Sequence, residues 1–90
     1  MRKQVHLIIS GVVQGVLFRS SASNIACSLK LNGFVRNLSN GSVELVAVGE
    51  EEFLGRMIDW CRKGPPGARV EDIEIEWNQP IQEFNYFQIR

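Results

Sequence analysis

The stretch Gly11 to Arg19, GVVQGVLFR, holds the residue types in this chain best suited to chemistry. Gly11 and Gly15 allow backbone with positive φ and let another group approach the main chain closely. In such a turn successive N–H groups point into one concavity, and a following helix N-terminus adds unclaimed donors and partial positive charge. Arg19, at the exit, adds a planar fork of donors matched to phosphate or carboxylate. Val12, Val13, Gln14, Gly15, Val16, Leu17 and Phe18 would then supply main-chain amides to an anion, and Arg19 its counter-charge. The chemistry that fits is the cradling of a phosphoryl group. On these residues alone, a purely structural glycine turn between a strand and a helix is the alternative. The stretch is neither a P-loop, since no Gly-Lys-Ser/Thr is present, nor a dinucleotide fingerprint, since Gly-x-Gly is absent.

A second candidate is Asn37, near the end of a short apolar run. Its plain role is a strand-end amide that satisfies a turn; its chemical role is to bind and orient a water molecule. His6, the only histidine, alternates with Val5 and Leu7 and reads as structural. Cys27 and Cys61 are not a C-x-x-C pair and read as small buried hydrophobes, with a bridge between them left open. No zinc site can be assembled from this inventory without carboxylates at a spacing that the sequence does not mark, and neither a metal nor another cofactor is expected.

The elements that must position these residues follow from periodicity. Val5 to Ile9 reads as a strand buried on both faces. Ser20 to Leu31 reads as a helix, with Phe18, Ala22, Ile25 and Leu29 as its apolar stripe. Gly33 is suited to that helix's left-handed C-terminal position. Phe34 to Leu38 and Ser42 to Val48 are strands joined by a hairpin turn at Ser39-Asn40-Gly41. Gly49 is expected to break the second of these. Glu50, Glu51 and Glu52 then open a second helix, where negative charge favours the dipole. Its stripe is Leu54, Met57, Ile58 and Cys61, and Gly64-Pro65-Pro66-Gly67 stops it. Val70 to Trp77 alternates, with Ile73, Ile75 and Trp77 inward. Asn78-Gln79-Pro80 is a turn, and Phe84 to Ile89 a last strand with Phe87 and Ile89 inward. Trp60 and Trp77 read as core or interface residues and not as substrate platforms. The order βαββαβ plus a short terminal fifth strand predicts an α+β, ferredoxin-like two-layer α/β sandwich. Its sheet is mainly antiparallel, with two helices on one face. That fold does not choose a function.

Two stretches resemble the acylphosphatase family. GVVQGVLFR is similar to its pattern at Gly11, Val13, Gln14, Gly15, Val16, Phe18 and Arg19. GFVRNLSNGSVELVAVG is similar to a second pattern at Gly33, Phe34, Val35, Arg36, Asn37, Gly41, Val43 and Gly49. The order and spacing agree, and the resemblance covers essentially the whole chain. It implies hydrolysis of acyl phosphates to a carboxylate and inorganic phosphate. Arg19 would bind the phosphoryl oxygens, Asn37 would position the attacking water, and the Val12 to Phe18 amides would complete the cradle. Two positions depart from common family usage. Leu38 stands where many members carry Thr, and Leu17 where many carry Gly or an aromatic residue. Neither touches the two side chains above, and both bear on substrate preference or rate.

Composition narrows the rest. Ninety residues suffice for a single domain, 1–90, burying roughly 60–70% of its unfolded surface. Ten basic and ten acidic residues balance, which argues against a duplex nucleic-acid binder. No apolar run approaches the ~20 residues of a membrane span. The start, MRKQVHLIIS, lacks the features of a signal peptide, so the expectation is a cytoplasmic monomer acting on a small acyl phosphate, with no nucleic-acid or membrane partner. A non-catalytic module that keeps an anion site is the runner-up. An RNA-binding sheet would want aromatic strands and a basic face that His6 and Ile8 do not supply. Arg90 follows the last strand, and the expectation is that its carboxylate lies close enough to pair with Arg19.

Overall fold

The computed structural model comprises β1 (Arg2–Val12), α1 (Phe18–Ser28), β2 (Asn32–Asn37), β3 (Val43–Glu50), α2 (Glu51–Lys63), β4 (Arg69–Glu76) and β5 (Phe87–Ile89). All residues are described except Asn78 and Gln79; the turn expected at Asn78-Gln79-Pro80 therefore lies outside the described residues. The sheet order is β4-β1-β3-β2-β5. β1 pairs antiparallel with both β3 and β4, β2 pairs antiparallel with β3, and β5 runs parallel to β2. This is the ferredoxin-like α+β arrangement read from the sequence, with the fifth strand at one edge.

The topology explains why distant residues meet. β1 and β2 both run antiparallel to β3, so they run parallel to each other and their C-terminal ends emerge at one end of the sheet. The register makes this concrete: Val43 sits opposite Ile9 on one side and Asn37 on the other. The loop after β1 and the last residue of β2 therefore share an edge.

The core lies between the sheet and the two helices. Val5, Leu7 and Ile9 of β1 are fully buried, as are Val35, Val43, Leu45 and Ala47. Against them pack Phe18, Ala22 and Ala26 of α1 and Leu54, Met57, Ile58 and Cys61 of α2. Side chains alternate along a strand, so the other face of β1 carries Gln4, His6 and Ile8. His6 and Ile8 are only half-buried there, which corrects the expectation of a strand buried on both faces. Gln4 is 3% exposed, and its carboxamide is satisfied by Gln82. The main-chain N–H of Gln82 donates to Gln4 Oε1 at 2.8 Å, and Gln4 Nε2 donates to Gln82 Oε1 at 3.3 Å. His6 Nε2 lies 2.8 Å from Glu44 Oε2, and Glu44 also receives the Arg36 guanidinium. Burial pushes the Glu44 pKa up, but the hydrogen bonds from His6 and Arg36 and their charges outweigh it and hold the carboxyl below its ordinary range. This triad braces β1, β3 and β2 across the face that lacks helices.

Several local expectations are corrected. α1 spans Phe18–Ser28, so Gly33 does not cap it. Lys30 takes the left-handed position instead, at φ 58°. The N–H groups of Lys30 and Leu31 donate back to Cys27 and Ala26 at 3.1 and 2.9 Å, the two bonds of a Schellman ending. Gly33 lies within β2 at φ 146°. A Cβ there would collide with the main chain of Val46, so glycine is required by the neighbouring strand rather than by a helix end. Gly49 continues β3, opposite Lys3, and Glu50 precedes α2 as its extended N-cap. The last strand is only Phe87–Ile89, with Phe84 set edge-on to Phe34 at 6.1 Å. Phe87 is buried, but Ile89, at the sheet's edge, is 51% exposed. The two thiols are free: Cys61 is buried and Cys27 is exposed. Cys27 stands one position past buried Ala26, which turns it about a quarter-circle off the buried stripe. Burial pushes the Cys61 thiol pKa up to about 12, which keeps it protonated and inert.

Candidate active site

The loop between β1 and α1 is pinned at both ends. Val13 is 1% and Phe18 2% exposed, so each contributes core burial worth ~1.5–3 kcal/mol. Phe18 also meets Trp60 edge-on, with ring centroids 5.3 Å apart. Between these anchors, Gly15 at φ 77° turns the chain. A Cβ on Gly15 would meet nothing, so the residue is demanded by conformation and not by space. Leu17 is also left-handed, at φ 61° and ψ 29°, and it leads directly into α1 with no side-chain cap on the helix.

The loop's donors are unclaimed. Among the described residues, no acceptor takes a hydrogen bond from the N–H groups of 13–17. The first-turn N–H groups of α1 have no intrahelical partner either, and that turn carries no acidic residue. Arg19, second in the helix, stands where the dipole's positive end lies. Its Nη1 donates to the main-chain oxygen of Arg90 at 3.1 Å. Arg90 N in turn donates to Val35 O at 2.9 Å, so β2 and β5 carry the acceptor that steadies the arginine fork. The proximity of Arg90 to Arg19 expected from the sequence is present.

Asn37 is the last residue of β2 and is exposed. Its carboxamide bonds to no other described residue. The hairpin after it closes through Leu38 N to Ser42 O at 2.8 Å and Gly41 N to Leu38 O at 3.2 Å. Gln14 joins this hairpin to the loop. Its Nε2 donates to Leu38 O at 2.8 Å and to Ser42 O at 2.9 Å, using both amide protons. Sequence reasoning assigned Gln14 only a main-chain amide. A carboxamide in an otherwise apolar loop signals that partners exist, but nothing local identifies carbonyls beyond residue 37.

These pieces enclose a cleft of ≈ 310 Å³ lined by Val13, Gly15, Leu17, Phe18, Arg19, Ser20 and Asn37. Val12, Gln14 and Val16 do not line it. Val12 ends β1 opposite Arg69, the Gln14 side chain is committed to the hairpin, and Val16 packs against the core. Among the described residues, no three His, Cys, Asp or Glu side chains group as metal ligands. The cleft therefore offers one guanidinium, one carboxamide and a ring of main-chain donors.

The acylphosphatase family profile matches residues 5–89. The chain belongs to the acylphosphatase family. An acylphosphatase of Anaeromyxobacter dehalogenans is 43% identical over 89 residues, covering 99% of this chain and 96% of its own length. The solved acylphosphatase of Coxiella burnetii superposes with a TM-score of 0.95 at 39% identity, over 99% of this chain and 93% of that one. That of Bacillus subtilis gives 0.94 at 33% identity, over 100% and 99%. This acylphosphatase-family chain is accordingly an enzyme that hydrolyses acyl phosphates to a carboxylate and inorganic phosphate.

Proposed function

We propose that Arg19 and the unclaimed main-chain amides of the loop before it hold the phosphoryl group while Asn37 places the attacking water in line. The observation that carries this division of labour is that Arg19 and Asn37, from different elements, line one cleft with a donor-rich loop between them. An acyl phosphate is a mixed anhydride whose leaving carboxylate has a conjugate acid of pKa about 4. It departs without protonation, so no general acid is needed. The transition state is loose and asks for little nucleophilic push. The work left is to hold the oxygens, neutralise charge and position water, and the cleft's inventory suits that work. Water oxygen bonds to phosphorus as the bond to the acyl oxygen breaks. The bonding electrons leave with the carboxylate, and the water's proton passes to a phosphoryl oxygen of the substrate.

In this reading the chain acts as a single domain and a monomer, in the cytoplasm, without nucleic acid. The balanced charge supports the last of these, and among the described residues no helix is long and apolar enough to cross a membrane.

The test is hydrolysis of benzoyl phosphate followed by ultraviolet absorbance, with a chelator present, for the wild type and Asn37→Ala. The expected result is chelator-resistant turnover with kcat reduced ~10²–10³-fold in the variant, while competitive inhibition by inorganic phosphate persists. Phosphate affinity lost in step with kcat would reject the role given to Asn37.

A further inference from the structure

We propose that Leu17 is the acyl-recognising contact of this cleft, and that it gives the enzyme a preference for acyl phosphates with an apolar aliphatic or aromatic tail. The proposal rests on the placement of the phosphoryl group just described. Phosphoryl oxygens take the guanidinium and the main-chain donors. The acyl group, joined through the bridging oxygen, must then leave the cradle towards its rim. Of the apolar side chains that line the cleft, Val13 and Phe18 are 1% and 2% exposed and offer no surface, whereas Leu17 is 77% exposed.

The backbone of Leu17 points the same way. At φ 61° it occupies a region that glycine enters freely and a residue with a Cβ enters at a cost. Its carbonyl is held there by Ser21 N at 3.1 Å and Ser20 Oγ at 3.3 Å. An isobutyl group this exposed returns almost nothing to the core for that cost. Strain of this kind, held in place beside a reacting centre, is a mark of function. Its physical yield is an apolar face, in a fixed position, next to a site otherwise made of charge and amides. A tail of several carbons reaches that face and buries surface against it; an acetyl group has too little to bury.

The experiment compares wild type, Leu17→Gly and Leu17→Asn on benzoyl phosphate and acetyl phosphate. Thermal melting is measured beside the kinetics. Both replacements tolerate the left-handed backbone. The expected result is a roughly five- to tenfold fall in the preference for benzoyl over acetyl phosphate, read as the ratio of their kcat/KM values. Leu17→Gly should melt no lower than wild type. Equal changes for the two substrates, or no change for either, would overturn the role of Leu17. Wild type that turns over neither substrate would instead overturn the phosphoryl placement beneath it, and the proposal with it.

Discussion

The two strand-to-helix junctions of this protein are built from the same parts and serve opposite ends. At the β3–α2 junction the chain passes from strand to helix without a loop, through Glu50 in extended conformation. Glu51 and Glu52 fill the first turn of α2, and the main-chain N–H of Glu51 donates to Met1 O at 3.1 Å. Lys3 Nζ lies 3.2 Å from Glu51. That helix end is satisfied by the chain itself. At the β1–α1 junction a loop intervenes, the N-cap is an exposed leucine with no capping bond, and the first turn has no acid but an arginine. First-turn acids are worth ~0.3–1 kcal/mol each, and α1 forgoes them. In the proposed reading, the protein gives up local helix stability at one junction and leaves donors and positive charge for an anion.

Four changes break or sharpen that contrast, in falling order of effect. Arg19→Ala removes the only cationic side chain lining the cleft. It should lower kcat/KM by ~10³-fold and abolish phosphate inhibition, because this charge serves ground state and transition state alike. Steady-state kinetics with phosphate as inhibitor would show it, and retained phosphate affinity would refute it.

Gln14→Ala should come next. By cutting the two bonds to the hairpin it lets Asn37 drift from the loop, with kcat lower by ~10–100-fold. In an Asn37→Ala background the same change should cost less than about threefold, since there is no positioned amide left to misplace. Costs that multiply in the double variant would make Gln14 a purely structural residue.

The smallest effects come from exchanging the electrostatics of the junctions. Ser20→Asp puts a carboxylate into the open first turn of α1. It should weaken phosphate binding by roughly five- to tenfold while holding or raising the melting temperature. Glu51→Gln should do the reverse at α2, lowering melting by a few degrees, from ~0.3–1 kcal/mol, with activity intact. Ser20→Asp without effect on phosphate affinity would show that α1's end does not face the anion.

Much of the site was legible because chemistry confined to a short stretch leaves a local trace. The glycine spacing, the arginine at the loop exit and the asparagine before a hairpin turn are all near-neighbour features, and they carried the resemblance to the family. The helix stripes and the strand alternation were equally local, and the core residues of α2 follow them. Misplacements arose where a neighbour distant in sequence decided the outcome. Gly33 is explained by the main chain of Val46, and a Cβ on Gly49 would run into Leu31. Ile89 keeps the alternation of its strand, yet it has nothing beyond the sheet edge to cover it. Cys27 is the exception: local helical geometry alone places it just outside the buried arc.

The sequence by itself determined the order of elements, the donor-rich loop and the identities of Arg19 and Asn37, because backbone conformation and side-chain chemistry are set within a few residues. Only the tertiary structure decided that these groups share a cleft. Pairing both β1 and β2 antiparallel to β3 brings their C-terminal ends to one edge of the sheet. The clamp that holds them there, Gln14 on Leu38 and Ser42, spans separations that no local pattern encodes. Its carboxamide must find acceptors once it leaves water, and the hairpin that the sheet has already set beside it offers two.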